Sequence, residues 1–460
     1  MKRISIVLIV GLFLVGCKKD KPDTPTNPTP TPTAPSPAAK TYSGDFMHDY
    51  FTLQCDIVRT TPGFLPTSAA RSYGYLGVAS YEATVHGIPG ALSLAGQLQG
   101  FSAGSLPVPD LTLKYNWALA ANAACAQIMR HMFDANITVD NLLAIDQMEE
   151  ANKISLGATE TNEVIARSEQ FGIELADAIY DISTTDGGHE AYTDPFSLSN
   201  PIVIPPDPYC WVPTGAQAVP LTPYWGENRS FISGIVASSQ PETHIPFSSE
   251  TSSEFYGQAM DVYTQVTALN TPDQVTIAEY WADDPFQTCT PAGHTFNILK
   301  QLLSESNATL EKTAVAFGMM GVAENDAFIS CWKTKYETVL IRPVSYIQQY
   351  IDPAFTTVIG TPPFPAYVSG HSSEIGAGVK ILTHLFANAN GDYTFTDLSQ
   401  IQYGFSARTY NNFFDMADEC ALSRYYGGIH FEMDNSKGLD LGFAVGEAVL
   451  NNLSWPQNIE

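Results

Sequence analysis

Three short segments in the last third of the chain bring together residue types suited to gripping an anion. The first, "KYETVLIRP", sets Lys335 and Arg342 seven residues apart and ends on Pro343. Seven residues make two helical turns, so both cations are expected on one face of a helix that Pro343 closes. The second, "FPAYVSGHSSEIGAG" from Phe364 to Gly378, contains Ser369, Gly370 and His371. A glycine at a helix start lets a backbone N–H approach an oxyanion closely. The third, "SRYYGGIH", sets Arg424 six residues before His430 across a Gly427–Gly428 bend. A lysine point charge and two arginine forks are the donors a tetrahedral oxyanion needs, so the set describes a phosphate-like pocket. Each residue alone has a blander reading: Lys335 as a solvated helix face, Arg342 as a surface ion pair, His430 as a core histidine.

Taken in order, Lys-x6-Arg-Pro, Ser-Gly-His and Ser-Arg-x5-His resemble the three-part signature of the type 2 phosphatidic acid phosphatase and vanadium-dependent haloperoxidase superfamily. Val368 stands where the commoner pattern has proline. Trp332, three residues before Lys335, and Phe364, seven before His371, match aromatic residues lining the halide side of chloroperoxidase-like members. "YWADDPFQTCTPAGH" (Tyr280 to His294) and "PTSAARSYGYLGVASYEATVHG" are also similar to stretches of bacterial haloperoxidases. The resemblance is strong over the last third and thin elsewhere. It implies vanadate as cofactor, with His430 as the axial vanadium ligand through a neutral imidazole nitrogen. Lys335, Arg342, Ser369, Gly370, His371 and Arg424 would hold the anion's oxygens, with Lys335 also polarising the substrate. His371 would be the acid–base group toward hydrogen peroxide. The implied product is a hypohalous acid equivalent made from halide, iodide or bromide being favoured, and passed on to any organic acceptor.

Two alternatives stand beside this reading. One is an acid phosphatase of the same superfamily, with His430 as the nucleophile that becomes phosphohistidine and His371 protonating the leaving group. The other is a non-catalytic lipoprotein that binds phosphate or a glycan, which has no use for two histidines. Four carboxylates are candidates for supporting roles. Asp434, four after His430, either orients that imidazole or caps the following helix. Asp283 or Asp284 pairs with Arg424. Glu374, following His371 on the same helix, compensates the helix dipole.

The elements that must position these residues read as helices. Small and apolar residues recur at helical intervals from Thr67 to His86, and Val164, Phe171, Leu175, Ala178 and Ile182 mark one face of a second helix. A helical block from Thr295 to Val339 has a polar break near Ser306 and Asn307. Between these blocks, "SLSNPIVIPPDPYCWVPTGAQAVPLTPYWG" is dense in proline and aromatic residues and predicts a long ordered excursion. Alternating β-branched patterns are nearly absent. The predicted fold is therefore mainly α, two four-helix-bundle-like halves with long irregular loops, divided as 42–265 and 266–460.

The N-terminus, "MKRISIVLIVGLFLVGCKKD", resembles a bacterial lipoprotein signal over 1–16, with Cys17 as the lipidated residue. A Pro/Thr-rich spacer to residue 41 would hold the folded part away from the membrane. The expected location is the cell envelope, at the outer membrane or cell surface, with a lipid anchor as the membrane contact. The formal charge of −26 argues against nucleic acid as a partner. Beyond Cys17 there are six cysteines without CxxC spacing, which removes zinc-ribbon and thioredoxin readings. Their pairing, the halide preferred and the oligomeric state are left open by the sequence.

Overall fold

The structure, a computed structural model, describes residues 35–457 and 459. The signal-like segment, Cys17 and most of the Pro/Thr tract therefore lie outside the described residues. The first half contains α1 (Asp45–Thr60), α2 (Pro66–Thr84), α3 (Trp117–Phe133), α4 (Val139–Leu156), α5 (Asn162–Ser183) and the single turn α6 (Ile235–Ser238). There follow α7 (Glu254–Thr264), α8 (Pro272–Tyr280), α9 (Thr290–Glu305), α10 (Leu310–Thr338), α11 (Pro343–Tyr350) and α12 (Gly370–Phe386). A short antiparallel hairpin, β1 (Phe395–Asp397) with β2 (Arg408–Tyr410), precedes α13 (Phe413–Tyr426) and α14 (Glu432–Asn452).

The expected mainly α fold is observed. The predicted Thr67–His86 helix is α2, the amphipathic segment is α5, and the polar break falls between α9 and α10. Local chemistry sets many of the helix starts. Asn116, Thr138, Thr161, Ser253, Thr309 and Asn412 each accept a first-turn backbone N–H on the side chain, and such a cap stabilises a helix by about 1 kcal/mol.

The centre of the molecule is the packing of α2 along α10. Every residue of α2 after Pro66 is buried, so this helix has no polar face and belongs to the core all round. Its backbone lies so near α10 that a Cβ on Gly77 would overlap the Phe317 carbonyl oxygen. Beside this seam Phe51, Tyr73, Phe296 and Phe317 from α1, α2, α9 and α10 form one aromatic cluster, Phe51 stacking on Phe296 at 4.9 Å. The two halves of the sequence therefore share a core. α7 runs directly into a π turn at Gln265–Leu269, so the 265/266 division falls within a continuous helical stretch.

A second close seam positions the motif residues. Where α14 crosses α12, a Cβ at Gly438 would come 2.8 Å from the Ser369 carbonyl oxygen. The Ser369 N–H donates to the Asp434 carbonyl at 2.9 Å. The starts of α12 and α14 are thereby fixed against one another.

Candidate active site

Lys335 and Arg342 converge, but not along one helix as their spacing predicts. α10 ends at Thr338, where Val339 adopts a left-handed conformation (φ 44°) and caps back to the Lys335 carbonyl. The chain then runs extended to Arg342, and Pro343 opens α11 instead of closing α10, the position where its missing N–H is harmless. Both cations are fully buried and meet over one ring: the Lys335 Nζ lies 5.0 Å from the centre of Phe364 and the Arg342 guanidinium 4.9 Å from it. Lys335 donates to the carbonyls of Pro365 and Ala366 at 2.8 and 3.0 Å.

Ser369 is the N-cap of α12, its Oγ accepting from Ser372 N, and Gly370 is the first helical residue. A Cβ at Gly370 would meet nothing nearer than Trp332, at 3.6 Å, so the absent side chain leaves free space in front of the helix start. His371 follows, its side chain 18% exposed. Arg424 stands in the last turn of α13 and donates to the Trp281 carbonyl. Gly428 (φ 76°) makes the bend that delivers His430 to the start of α14.

Both roles open to Asp434 are filled at once. Its Oδ2 accepts from His430 Nδ1 at 2.9 Å and from the Phe431 backbone N–H at 3.1 Å. With Nδ1–H committed to Asp434, His430 presents an Nε2 lone pair, which accepts from Arg342 Nη1 at 3.0 Å. Burial, reinforced by Arg342, Lys335 and Arg424, holds the His430 pKa well below its usual value, so the imidazole is neutral. His371 is also held well below, by burial and then by Arg424. Burial lowers Lys335 to about 7 and depresses both arginines. Asp434 is pushed up to about 7 by burial.

Arg424 has no carboxylate within ion-pair distance among the described residues, so the expected pairing with Asp283 or Asp284 is not made. Asp283 is engaged by His294, whose Nδ1 lies 3.1 Å from its Oδ2, and by Gln400 at 2.8 Å. Asp284 acts on Arg424 only through its field. The pocket is therefore cationic, and several of its polar atoms are buried without a partner: Arg342 Nη2, Arg424 Nε and His371 Nε2. The unspent arginine N–H groups, around a neutral imidazole lone pair, fit an oxyanion whose central atom takes one nitrogen ligand.

Sequence reasoning missed the layer behind His371. His294 bridges Asp283 and Asp397, the latter at 3.0 Å from Nε2, and Tyr280 donates to Asp397 at 2.7 Å. Although burial opposes it, the two carboxylates raise the His294 pKa well above the ordinary range, so it is an imidazolium. Trp281 stacks on it at 4.4 Å. Asp283 in turn lies 4.0 Å from His371 Nε2. The stretch from Tyr280 to His294 carried the signal for half of this network. Asp397 and Gln400 come from the hairpin region and carried none.

Glu374 does not serve the helix dipole. It is buried against Glu324 of α10 and accepts from Thr295 at 2.9 Å. Burial raises Glu374 to about 8, and raises Glu324 well above its usual value with Glu374 adding to the effect, so this pair is held in its protonated form.

The site opens into a cavity of about 310 Å³. Gly370, His371, Arg424 and His430 lie at its floor; Trp332, Phe364, Phe328 and Leu221 form an apolar wall. Trp332 and Phe364 pack at 5.0 Å between ring centres. Lys335, Arg342 and Ser369 stand behind this lining, wholly removed from solvent.

Residues 315–456, spanning all three motifs, match the model of the VCPO second helical-bundle domain. Among solved structures, one described as the first bacterial vanadium-dependent iodoperoxidase superposes with a TM-score of 0.80 at 30% identity. That match covers 90% of this chain and 97% of the other. A bacterial vanadium-dependent chloroperoxidase superposes in its holo form with a TM-score of 0.60 at 14% identity, covering 86% of this chain and 94% of that one. Its apo form gives 0.60 at 15% identity, with coverage of 85% and 94%. At those identities the likeness is one of fold. No curated protein matches the chain in sequence.

Proposed function

Because the chain belongs to the vanadium-dependent haloperoxidases, we propose that it oxidises iodide or bromide, the halides easiest to oxidise, with hydrogen peroxide. The observation that carries this reading is the pairing of a neutral His430, its Nε2 held toward three buried cations, with an aromatic wall of Trp332 and Phe364 on the cavity side. The relative at 30% identity, named as an iodoperoxidase, supports iodide within that choice.

The residues take the following parts. His430 would offer Nε2 as the nitrogen ligand to vanadate, and Asp434 keeps its proton on Nδ1. Arg342 and Arg424 direct unspent N–H groups at the anion; Lys335 adds charge, and the backbone at Ser369 and Gly370 closes the cradle. Vanadate held there would supply Lewis acidity toward peroxide, with no change in its own oxidation state required. His371, neutral and with Nε2 lacking a partner, accepts a proton from hydrogen peroxide. The Asp283–His294–Asp397 layer holds the loop behind it. Trp332 and Phe364 give the halide a weakly hydrated surface, which suits large polarisable anions. An organic acceptor would then take the oxidised halogen from the same cavity.

The N-terminal reading completes the proposal: a lipid on Cys17 and the Pro/Thr spacer tether the enzyme at the outer membrane or cell surface. No helix among the described residues is long and apolar enough to cross a membrane. Metabolic labelling with a radioactive fatty acid, lost in Cys17→Ser, tests the tether.

The activity test uses metal-stripped protein reloaded with orthovanadate and assayed for peroxide-dependent triiodide formation, with bromide and chloride in parallel. Activity that needs vanadate, disappears in His430→Ala and ranks iodide or bromide above chloride supports the proposal. Phosphate-ester hydrolysis by the vanadate-free protein, without halide oxidation when loaded, would move the pocket to phosphatase chemistry.

A further inference from the structure

All six cysteines among the described residues are buried and free, yet two of them meet. Cys55 lies in the C-terminal part of α1, and Cys289 is the residue that precedes α9. The Asn297 side-chain amide reaches both sulfurs, at 3.0 Å from Cys289 Sγ and 3.9 Å from Cys55 Sγ. The two thiols lie near enough to perturb each other's ionisation. A Cβ on Gly293 would come 2.8 Å from Cys289 Sγ, so the sulfur occupies the space that a side chain at this position would take. The Tyr73 hydroxyl fixes the Cys289 carbonyl at 2.9 Å. The remaining cysteines have other neighbours: Cys125 touches Ser80, and Cys331 donates to Val368.

We propose that Cys55 and Cys289 form a redox-active pair that hydrogen peroxide converts into a disulfide linking α1 to the start of α9. Two sulfurs within reach of one amide can be brought together by side-chain rotation, whereas cysteines farther apart would require backbone movement. The pair also has the asymmetry that thiol oxidation requires. The neighbouring Cys55 thiol lowers the Cys289 pKa, while burial raises that of Cys55 and of the other four. Cys289 is thus the nucleophile and Cys55 the resolving thiol.

Access is short. Asn297, which touches both sulfurs, also lines a surface depression with His48, Thr52 and Lys300, the side from which peroxide would approach. The Cys289 thiolate attacks one peroxide oxygen; the O–O bond breaks, leaving a sulfenic acid on Cys289 and hydroxide, which is protonated to water. The Cys55 sulfur then displaces the sulfenic oxygen. The S–S bond forms as the S–O bond breaks, and the Cys55 proton leaves in a second water. The two thiols lose two electrons, and peroxide gains them.

The location gives the reaction a consequence at the site. Cys289 ends the segment that begins at Trp281, whose carbonyl accepts from Arg424, and passes through Asp283 beside His371. Asp283 and Phe286 in this segment, and Thr290 just after it, all have positive φ (48°, 67° and 68°), conformations that neighbouring structure must hold in place. A disulfide would pin its far end to α1 while the enzyme works in its own oxidant.

The test is peptide mass spectrometry of the whole protein, without vanadate or halide, before and after hydrogen peroxide, with maleimide trapping in denaturant. Leaving out vanadate and halide keeps the result separate from the haloperoxidase reading. The expected result is a Cys55–Cys289 linked peptide, two hydrogens lighter than its parts and reversed by a phosphine, while the other four cysteines remain alkylated. Cys55→Ser should leave a dimedone-reactive sulfenic acid on Cys289. If both peptides are fully alkylated after a peroxide dose that oxidises a free thiol standard, or if Cys331 or Cys420 oxidises first, the proposal fails. The unmutated protein alone decides this, whether or not the variant folds.

Discussion

Replacing Asp434 by alanine tests whether the site depends on its second layer. The carboxylate is fully buried, accepts from His430 Nδ1 at 2.9 Å, and accepts from the Phe431 N–H at 3.1 Å at the start of α14. Two losses follow. Without an acceptor at Nδ1, His430 can move its proton to Nε2 or turn its ring, and either removes the lone pair from the pocket. Loss of such an orienting partner typically lowers metal affinity 10- to 100-fold, which corresponds to about 1.4–2.7 kcal/mol. The exposed helix start adds a stability loss of about 1 kcal/mol. Asp434→Asn separates these effects, because an amide oxygen can still accept from Nδ1 without bearing charge; its affinity loss should stay below about tenfold. The assay is equilibrium dialysis of orthovanadate against metal-free protein, with circular dichroism to establish that each variant is folded. A folded Asp434→Ala protein that binds vanadate as tightly as the parent would refute the reasoning, because His430 would then be oriented by something else.

Three other outcomes are expected. Gly370→Ala should fold with unchanged or slightly raised melting temperature, since its Cβ meets Trp332 only at 3.6 Å. It should bind vanadate at least about tenfold more weakly, a methyl group then standing before the cradle; equal affinity would put the anion elsewhere. Lys335 is lowered to about 7 by burial, so the unfolded chain binds the extra proton between there and the ordinary lysine value. The empty pocket should therefore gain stability as pH rises through that window. The melting-temperature increase given by sulfate, whose charge is constant, should shrink from about pH 6 to about pH 9 and be flat in Lys335→Met; a flat native profile would argue against the lysine's role. Far from the site, Arg71 and Asp186 form a buried pair at 2.7 Å. Asp186→Ala should cost about 3–5 kcal/mol in urea unfolding by stranding the guanidinium, and a loss below about 1 kcal/mol would contradict that account.

Ser369, Gly370, His371, Arg424 and His430 were legible because each belongs to a segment whose backbone requirement is written locally: a helix cap, a helix start and a glycine bend. Lys335 and Arg342 were legible as partners but for an incorrect reason, since periodicity does not show that Val339 turns left-handed and ends the helix. Asp397 and Gln400 reach Asp283 and His294 from about a hundred residues along the chain, and no local rule encodes such a contact. Glu374 was misread because acidic residues near a helix start usually face solvent. Its burial depends on α10, which passes behind it. α2 offers the converse lesson: a helix covered on every side has no amphipathic stripe, and its small-residue spacing was the readable sign.

The acidic chain and its cationic pocket have a kinetic consequence. The mouth of the cavity carries Asp284, an exposed carboxylate whose charge acts on Arg424, on a molecule of formal charge −26. Halide and vanadate must cross that outer field before reaching the arginines and lysine inside. Screening acts strongly on the exposed charges and weakly on the buried ones. Added inert salt should thus hasten anion entry while leaving residence in the pocket nearly unchanged, giving an enzyme whose capture rate rises with ionic strength.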